Sequence, residues 1–326
     1  MSELYSLGYA VVVGVGRDLP VTVSDAQGIA KSLCDSFRCA YPTDQVRLLT
    51  EEKAGREGIL TSLDWLADAA GLDATAIVYF SGHGSEIPDY YLIPNDYQKA
   101  NVAGTAISSK LFTDKLRAIK AKKLVVLLDC CHAGGQAEAK ELETKSPLPP
   151  QVIEELSKSS GRVIIASSRK NEVSWTGSPY SVFTGALLEA LAGYGAFERD
   201  GYARLLDLAM YVGRMVPNRT KGQQNPIIKV ANLEDNFALA YYAGGSITPK
   251  LLDWATCAPE ISVDLDKAQW ASWRTQWANY RENHMLIEER MAEYVEYTAI
   301  PLQLIKSKRQ VEAKIAELEA KLRVAS

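Results

Sequence analysis

Short apolar runs alternate with longer segments whose apolar positions recur every three or four residues over the first two-thirds of the chain. Residues 7–15, 46–49, 74–80, 124–128, 162–166 and 226–231 are short and rich in Val, Ile, Leu and Ala. Such runs predict strands, the longer ones buried on both faces. Between them, residues 57–70, 108–119, 182–191 and 202–215 carry helical periodicity. A further helix, with Ala26, Ile29, Ala30, Leu33 and Phe37 on one face, is expected to start after Ser24 as its N-cap. Strands alternating with helices predict an α/β fold with a largely parallel sheet covered on both sides. Residues 136–161 break the pattern: they are polar, contain Pro147, Pro149 and Pro150, and predict a long exposed loop.

Beyond Gly245 the character changes. Trp270, Trp273, Trp277, Tyr280, His284, Ile287, Met291 and Tyr294 form one helical stripe, which Pro301 ends. Leu304, Val311, Ile315, Leu318 and Leu322 mark a second helix. The expected organisation is a domain over residues 1–245 and a helical hairpin over 246–326.

Composition narrows the classes. The chain has 326 residues, of which 47% are apolar, enough for a substantial core. Its formal net charge of −4 offers no basic excess for nucleic acid or an anionic membrane surface. The Trp stripe could stack on bases, but its heptad-like spacing favours packing. The five cysteines include an adjacent pair and no Cys-x-x-Cys spacing, as in a reduced chain without a structural zinc site. The N-terminus lacks the pattern of a secretory signal, and no apolar run approaches a membrane span. The expectation is a soluble cytoplasmic protein.

Two of the buried runs end in short glycine-containing turns, Ser81-Gly82-His83-Gly84 and Asp129-Cys130-Cys131-His132-Ala133-Gly134-Gly135. In a parallel sheet both turns emerge at the carboxyl edge, where ligands bind. An imidazole and a thiol meeting there satisfy the first requirement of cysteine nucleophilic catalysis, since the thiolate is the reactive form. The two motifs together resemble the paired His and Cys motifs of the caspase-like peptidases, closest to the metacaspase and bacterial orthocaspase branch. The interval of 48 residues from His83 to Cys131 is also similar to the family's. The resemblance covers residues 7–240 and implies a caspase-like α/β/α sandwich.

What the resemblance implies can be carried over residue by residue. Cys131 is the nucleophile and His83 its base, with the backbone N–H groups of Gly84 and Cys131 as oxyanion hole. Cys130, in a position where the family has Ser or Cys, faces the interior, and His132 is structural. Asp129 occupies the place of a Gln in true caspases, and an anion there repels acidic residues and pairs with Arg or Lys. Ser24-Asp25-Ala26 is similar to a metacaspase pocket sequence, and Ser81 matches a pocket residue. Asp25 and Asp129 also have bland readings, as a helix-start carboxylate and a strand-end turn residue. Ser167 and Ser168 resemble the start of the substrate-binding segment, and Trp175 either walls a subsite or is a half-buried surface aromatic.

The implied activity is a cysteine endopeptidase cleaving after Arg or Lys; the rival is a non-catalytic scaffold of the same fold. Residues 136–162 lie where the family has a processing segment, with Lys140, Lys145, Lys158 and Arg162 as candidate cleavage sites; the other reading is a passive loop. No cofactor is expected. Calcium dependence, common among metacaspases, is disfavoured because residues 85–96 lack a dense run of carboxylates. Expected partners are protein or peptide substrates, an upstream activating protease or regulator, and a protein docked on the C-terminal helices. By analogy with bacterial members, the setting is a defence or cell-death-like circuit.

Overall fold

The computed structural model describes residues 4–87, 89–130, 162–169, 172, 174–231, 235–249, 252, 284, 287, 291 and 301–324. Two compact units divide the chain, Met1–Ala255 and Thr256–Ser326.

The first unit is built on a six-stranded sheet. Its strands include β1 (Gly8–Gly14), β2 (Val46–Thr50), β3 (Thr75–Gly82) and β7 (Lys123–Cys130). With β8 (Arg162–Ala166) and β10 (Ile227–Ala231) they run in the order β10-β8-β7-β3-β1-β2. All neighbours are parallel except β10, which is antiparallel to β8. Alternation divides the side chains between two cores. Val12, Tyr79, Leu127 and Ile165 point to one face, and Val11, Phe80, Leu128 and Ile164 to the other.

The first face is covered by α1 (Pro20–Cys34), α5 (Val182–Leu191) and α6 (Leu205–Arg219). The second is covered by α2 (Arg56–Ala69) and α4 (Ser109–Ala118), the latter preceded by the one-turn α3 (Val102–Thr105). This is the α/β sandwich with a mostly parallel sheet that the alternation of elements predicts. Each fully buried aliphatic side chain contributes roughly 1.5–3 kcal/mol. The three central strands β1, β3 and β7 are therefore the best anchored part of the unit.

Several boundaries differ from expectation. Helix α1 starts at Pro20, not after Ser24. Proline has no N–H to satisfy at a helix start and its φ is already helical, so it outcompetes a later serine cap. Asp25 consequently lies within the helix rather than at its first turn. The segment expected as one helix from residue 202 opens with a short strand, β9 (Tyr202–Arg204), paired with β11 (Ala238–Tyr241). A small sheet was not foreseen at all: β4 (Gly84–Ile87), β5 (Asp89–Leu92) and β6 (Ile107–Ser108) form an antiparallel meander directly after β3. Arg162, a candidate processing site, is 8% exposed in β8 and donates to the carbonyls of Arg117 and Ile119 at the end of α4. The bond after Arg162 thus lies inside β8, an interior strand of the sheet. Lys140, Lys145 and Lys158 lie outside the described residues.

In the second unit, α7 (Leu302–Val324) follows Pro301. His284 is helical and its Nε2 lies 3.2 Å from Glu312 Oε1. Of the aromatic stripe, the Trp and Tyr positions lie outside the described residues. Among the described residues no helix is long and apolar enough to cross a membrane.

Candidate active site

Register decides what meets at the carboxyl edge. Gly14 of β1 pairs with Ser81 of β3, and Ser81 pairs with Asp129 of β7. One step on, Gly82 pairs with Cys130. His83 and Cys131 are the next residues on those two chains. Cys131 lies outside the described residues, as does His132. Cys130 is buried in the second core, where burial pushes its thiol well up. That thiol is held as a neutral core group.

His83 occupies the single-residue break between β3 and β4, and its carbonyl accepts from the Ile93 N–H at 3.0 Å. The residue is thus fixed on both sides by strands. Gly84 opens β4, opposite Leu92.

Ser81 and Asp129 share the α1 side of the sheet. Helix α1 packs so closely on β1 that a Cβ at Gly14 would sit 2.2 Å from the Thr22 carbonyl. That approach carries Asp25 over the strand ends. Asp25 Oδ2 accepts from Ser81 Oγ at 3.3 Å, and Asp25 Oδ1 accepts from the Ser181 N–H at 2.8 Å. Among the described residues Asp129 accepts from the hydroxyls of Ser181 at 2.6 Å, Thr184 at 3.1 Å and Ser174 at 3.4 Å. Ser181 therefore ties both carboxylates together while its Oγ caps α5 through Thr184 N–H. Burial first, and the neighbouring Asp129 second, push the Asp25 carboxyl up to about 8. Two anions this close cannot both ionise freely, so the pair retains a proton well into the neutral range.

The two carboxylates line a small cavity that opens to solvent, with Ser81, Ser174, Trp175, Thr176 and Ser181 among its walls. Trp175 is 38% exposed and is one of the walls of this cavity. Ser167 and Ser168 are buried and are not among the walls of this cavity. The Ser167 N–H donates to the Leu128 carbonyl, and its own carbonyl accepts from Gln224 Nε2. Gln224 also accepts from the Trp175 N–H and donates to Ser174 Oγ, bracing the cavity wall.

A family model of the caspase domain matches residues 7–238. The chain belongs to the caspase-domain family. Its caspase domain is similar to Metacaspase-1 of Cryptococcus neoformans, 24% identical over 139 residues, 37% of this chain and 29% of that protein. It is also similar to Metacaspase-1A of Aspergillus terreus, 22% identical over 212 residues, 59% of this chain and 50% of that protein. The chain thus spans half or less of these relatives' length. Among solved structures, caspase-1 from Spodoptera frugiperda is similar at a TM-score of 0.46 and 19% identity, over 74% of this chain and 92% of that one. A Geobacter sulfurreducens protein is similar at 0.49 and 17%, over 74% and 99%.

Four residues that contact Asp129 or His83 went unnoticed in the sequence. Ser174, Ser181 and Thr184 bond Asp129, and Asp18 contacts His83. Ser181 had a visible signal, because it immediately precedes a predicted helix. Ser174 and Thr184 had none, since only the fold brings them to Asp129.

Proposed function

We propose that this caspase domain is a cysteine endopeptidase that cleaves after Arg or Lys. The observation that carries the reading is the buried Asp25–Asp129 pair, set in a cavity beside the strand ends that lead into His83 and Cys131. A cation entering the cavity lets the pair give up its retained proton and supplies the charge that burial denies it. The hydroxyls around it suit a planar, multi-donor guanidinium more than an ammonium, so Arg is preferred to Lys.

In the proposed reaction His83 removes the proton of the Cys131 thiol. The thiolate attacks the carbonyl carbon after the basic residue, and the resulting oxyanion is held by the N–H groups of Gly84 and Cys131. The imidazolium returns the proton to the departing amine as the C–N bond breaks. Water, deprotonated by His83, then cleaves the thioester and regenerates the thiol. Control by processing within residues 136–161, at Lys140, Lys145 or Lys158, or by an upstream partner, is part of the proposal. Its defence or cell-death setting follows the family resemblance alone.

Peptides ending in Arg, Lys, Asp or Leu with a fluorogenic leaving group test the reading. Hydrolysis of the Arg and Lys peptides only is expected, abolished by Cys131→Ala. Preference for the Asp peptide refutes the pocket assignment. Failure of a basic-residue thiol probe to label Cys131 refutes the peptidase.

A further inference from the structure

The loop between β1 and α1 brings a carboxylate to the proposed base. Asp18 Oδ2 lies 3.0 Å from His83 Nε2. An ionised carboxylate can only accept, so Nε2 is the nitrogen that carries the proton. His83 Nδ1 is buried and has no hydrogen-bond partner among the described residues. In the neutral ring its lone pair is then the acceptor left for chemistry.

The loop is built to hold this contact. Gly16 has φ +72° and Arg17 φ 60°, so the chain turns through the left-handed region just before Asp18. The Gly16 N–H donates to Thr22 Oγ1 at 2.8 Å, and the Leu19 N–H donates to the Gly16 carbonyl at 3.0 Å. Arg17 donates to the carbonyls of Asn95 and Tyr97 and lies over the Tyr97 ring, 4.3 Å from its centre. A non-glycine residue in a disfavoured conformation persists only when its surroundings hold it there. Those anchors aim Asp18 at a histidine whose side chain is 5% exposed.

We propose that Asp18 is the positioning residue of His83. Its carboxylate selects the Nε2–H tautomer and leaves Nδ1 to accept the thiol proton and return it to the leaving amine. It also stabilises the imidazolium formed between those two transfers. The inference rests on the peptidase reading for its consequence in catalysis, but not for the tautomer. Asp18 is 43% exposed, so water screens the pair and its effect is smaller than that of the base itself.

Two measurements on Asp18→Ala, Asp18→Asn and Asp18→Glu test it. With an Arg-ended peptide, kcat is expected to fall about ten- to a hundredfold in the Ala and Asn variants, with partial recovery in Glu. KM stays within about twofold. In ¹⁵N-histidine spectra, His83 is expected as the Nε2–H tautomer in the wild type and as a mixture in Asp18→Ala. The chain has three histidines, so His83→Gln assigns the signal. A wild type that cleaves no peptide but shows the tautomer change upholds the positioning and sinks the peptidase reading. An unchanged tautomer in Asp18→Ala, or a loss confined to KM, overturns the proposal.

Discussion

Asp25→Asn should stabilise the protein, and increasingly so as pH rises. Burial and the adjacent Asp129 hold the Asp25 proton to about 8, against an ordinary value of 3.8. In the unfolded chain the carboxyl ionises near the ordinary value. Between the two values folding takes up a proton, so this group's contribution is complete at low pH and is lost as pH rises through the folded value. One proton corresponds to about 1.4 kcal/mol per pH unit. From pH 5 to pH 7 the wild type should therefore lose up to about 3 kcal/mol relative to the Asn variant, the pair titrating as a unit. The amide keeps the local bonds, because its oxygen can accept from the Ser181 N–H and its NH₂ can donate to Ser81 Oγ. Denaturant midpoints at several pH values, in a Cys131→Ala background that prevents self-cleavage, measure the gap. A gap independent of pH, or one that closes as pH rises, refutes the account of the carboxylate pair. The same substitution should cost activity on Arg peptides, stability and binding then pulling in opposite directions at this carboxyl.

Binding of a basic side chain should be linked to the same proton: KM for an Arg-ended peptide is expected to fall as pH rises toward about 8, while a citrulline-ended peptide shows no such trend. Equal pH dependence of the two would refute it. Glu189, buried in α5, accepts from Arg219 at 2.7 Å and Tyr211 at 2.9 Å, so Glu189→Ala should cost about 3 kcal/mol, read from the urea midpoint. Gly14→Ala should loosen α1 and weaken Arg peptide hydrolysis through Asp25, because its Cβ would lie 2.2 Å from a helix carbonyl; unchanged stability and KM would argue otherwise. A calcium chelator is expected to leave hydrolysis unaffected, since Asp96, one of the few carboxylates after the His motif, already accepts from the Arg56 N–H. Loss of activity that calcium restores would overturn this.

The apolar strands and their order of alternation with helices were legible in the sequence because burial on both faces demands uninterrupted Val, Ile and Leu, as in β1, β3 and β7. The strand ends that lead into His83 and Cys131 were legible for the same reason, since an apolar run that gives way to a glycine-containing turn marks the edge of the sheet. The meander after His83 escaped notice because its strands are short, and β6 has two residues, too few for any periodicity. Which groups surround Asp129 was decided only by tertiary packing. Ser174, Ser181 and Thr184 lie 45 to 55 residues further along, and Asp25 is brought in by a helix pressed on Gly14. A hydroxyl's value as a ligand depends on what faces it, and a carboxyl's proton on its burial and its neighbour. Periodicity along the chain encodes which face a residue occupies, but not which residue stands opposite.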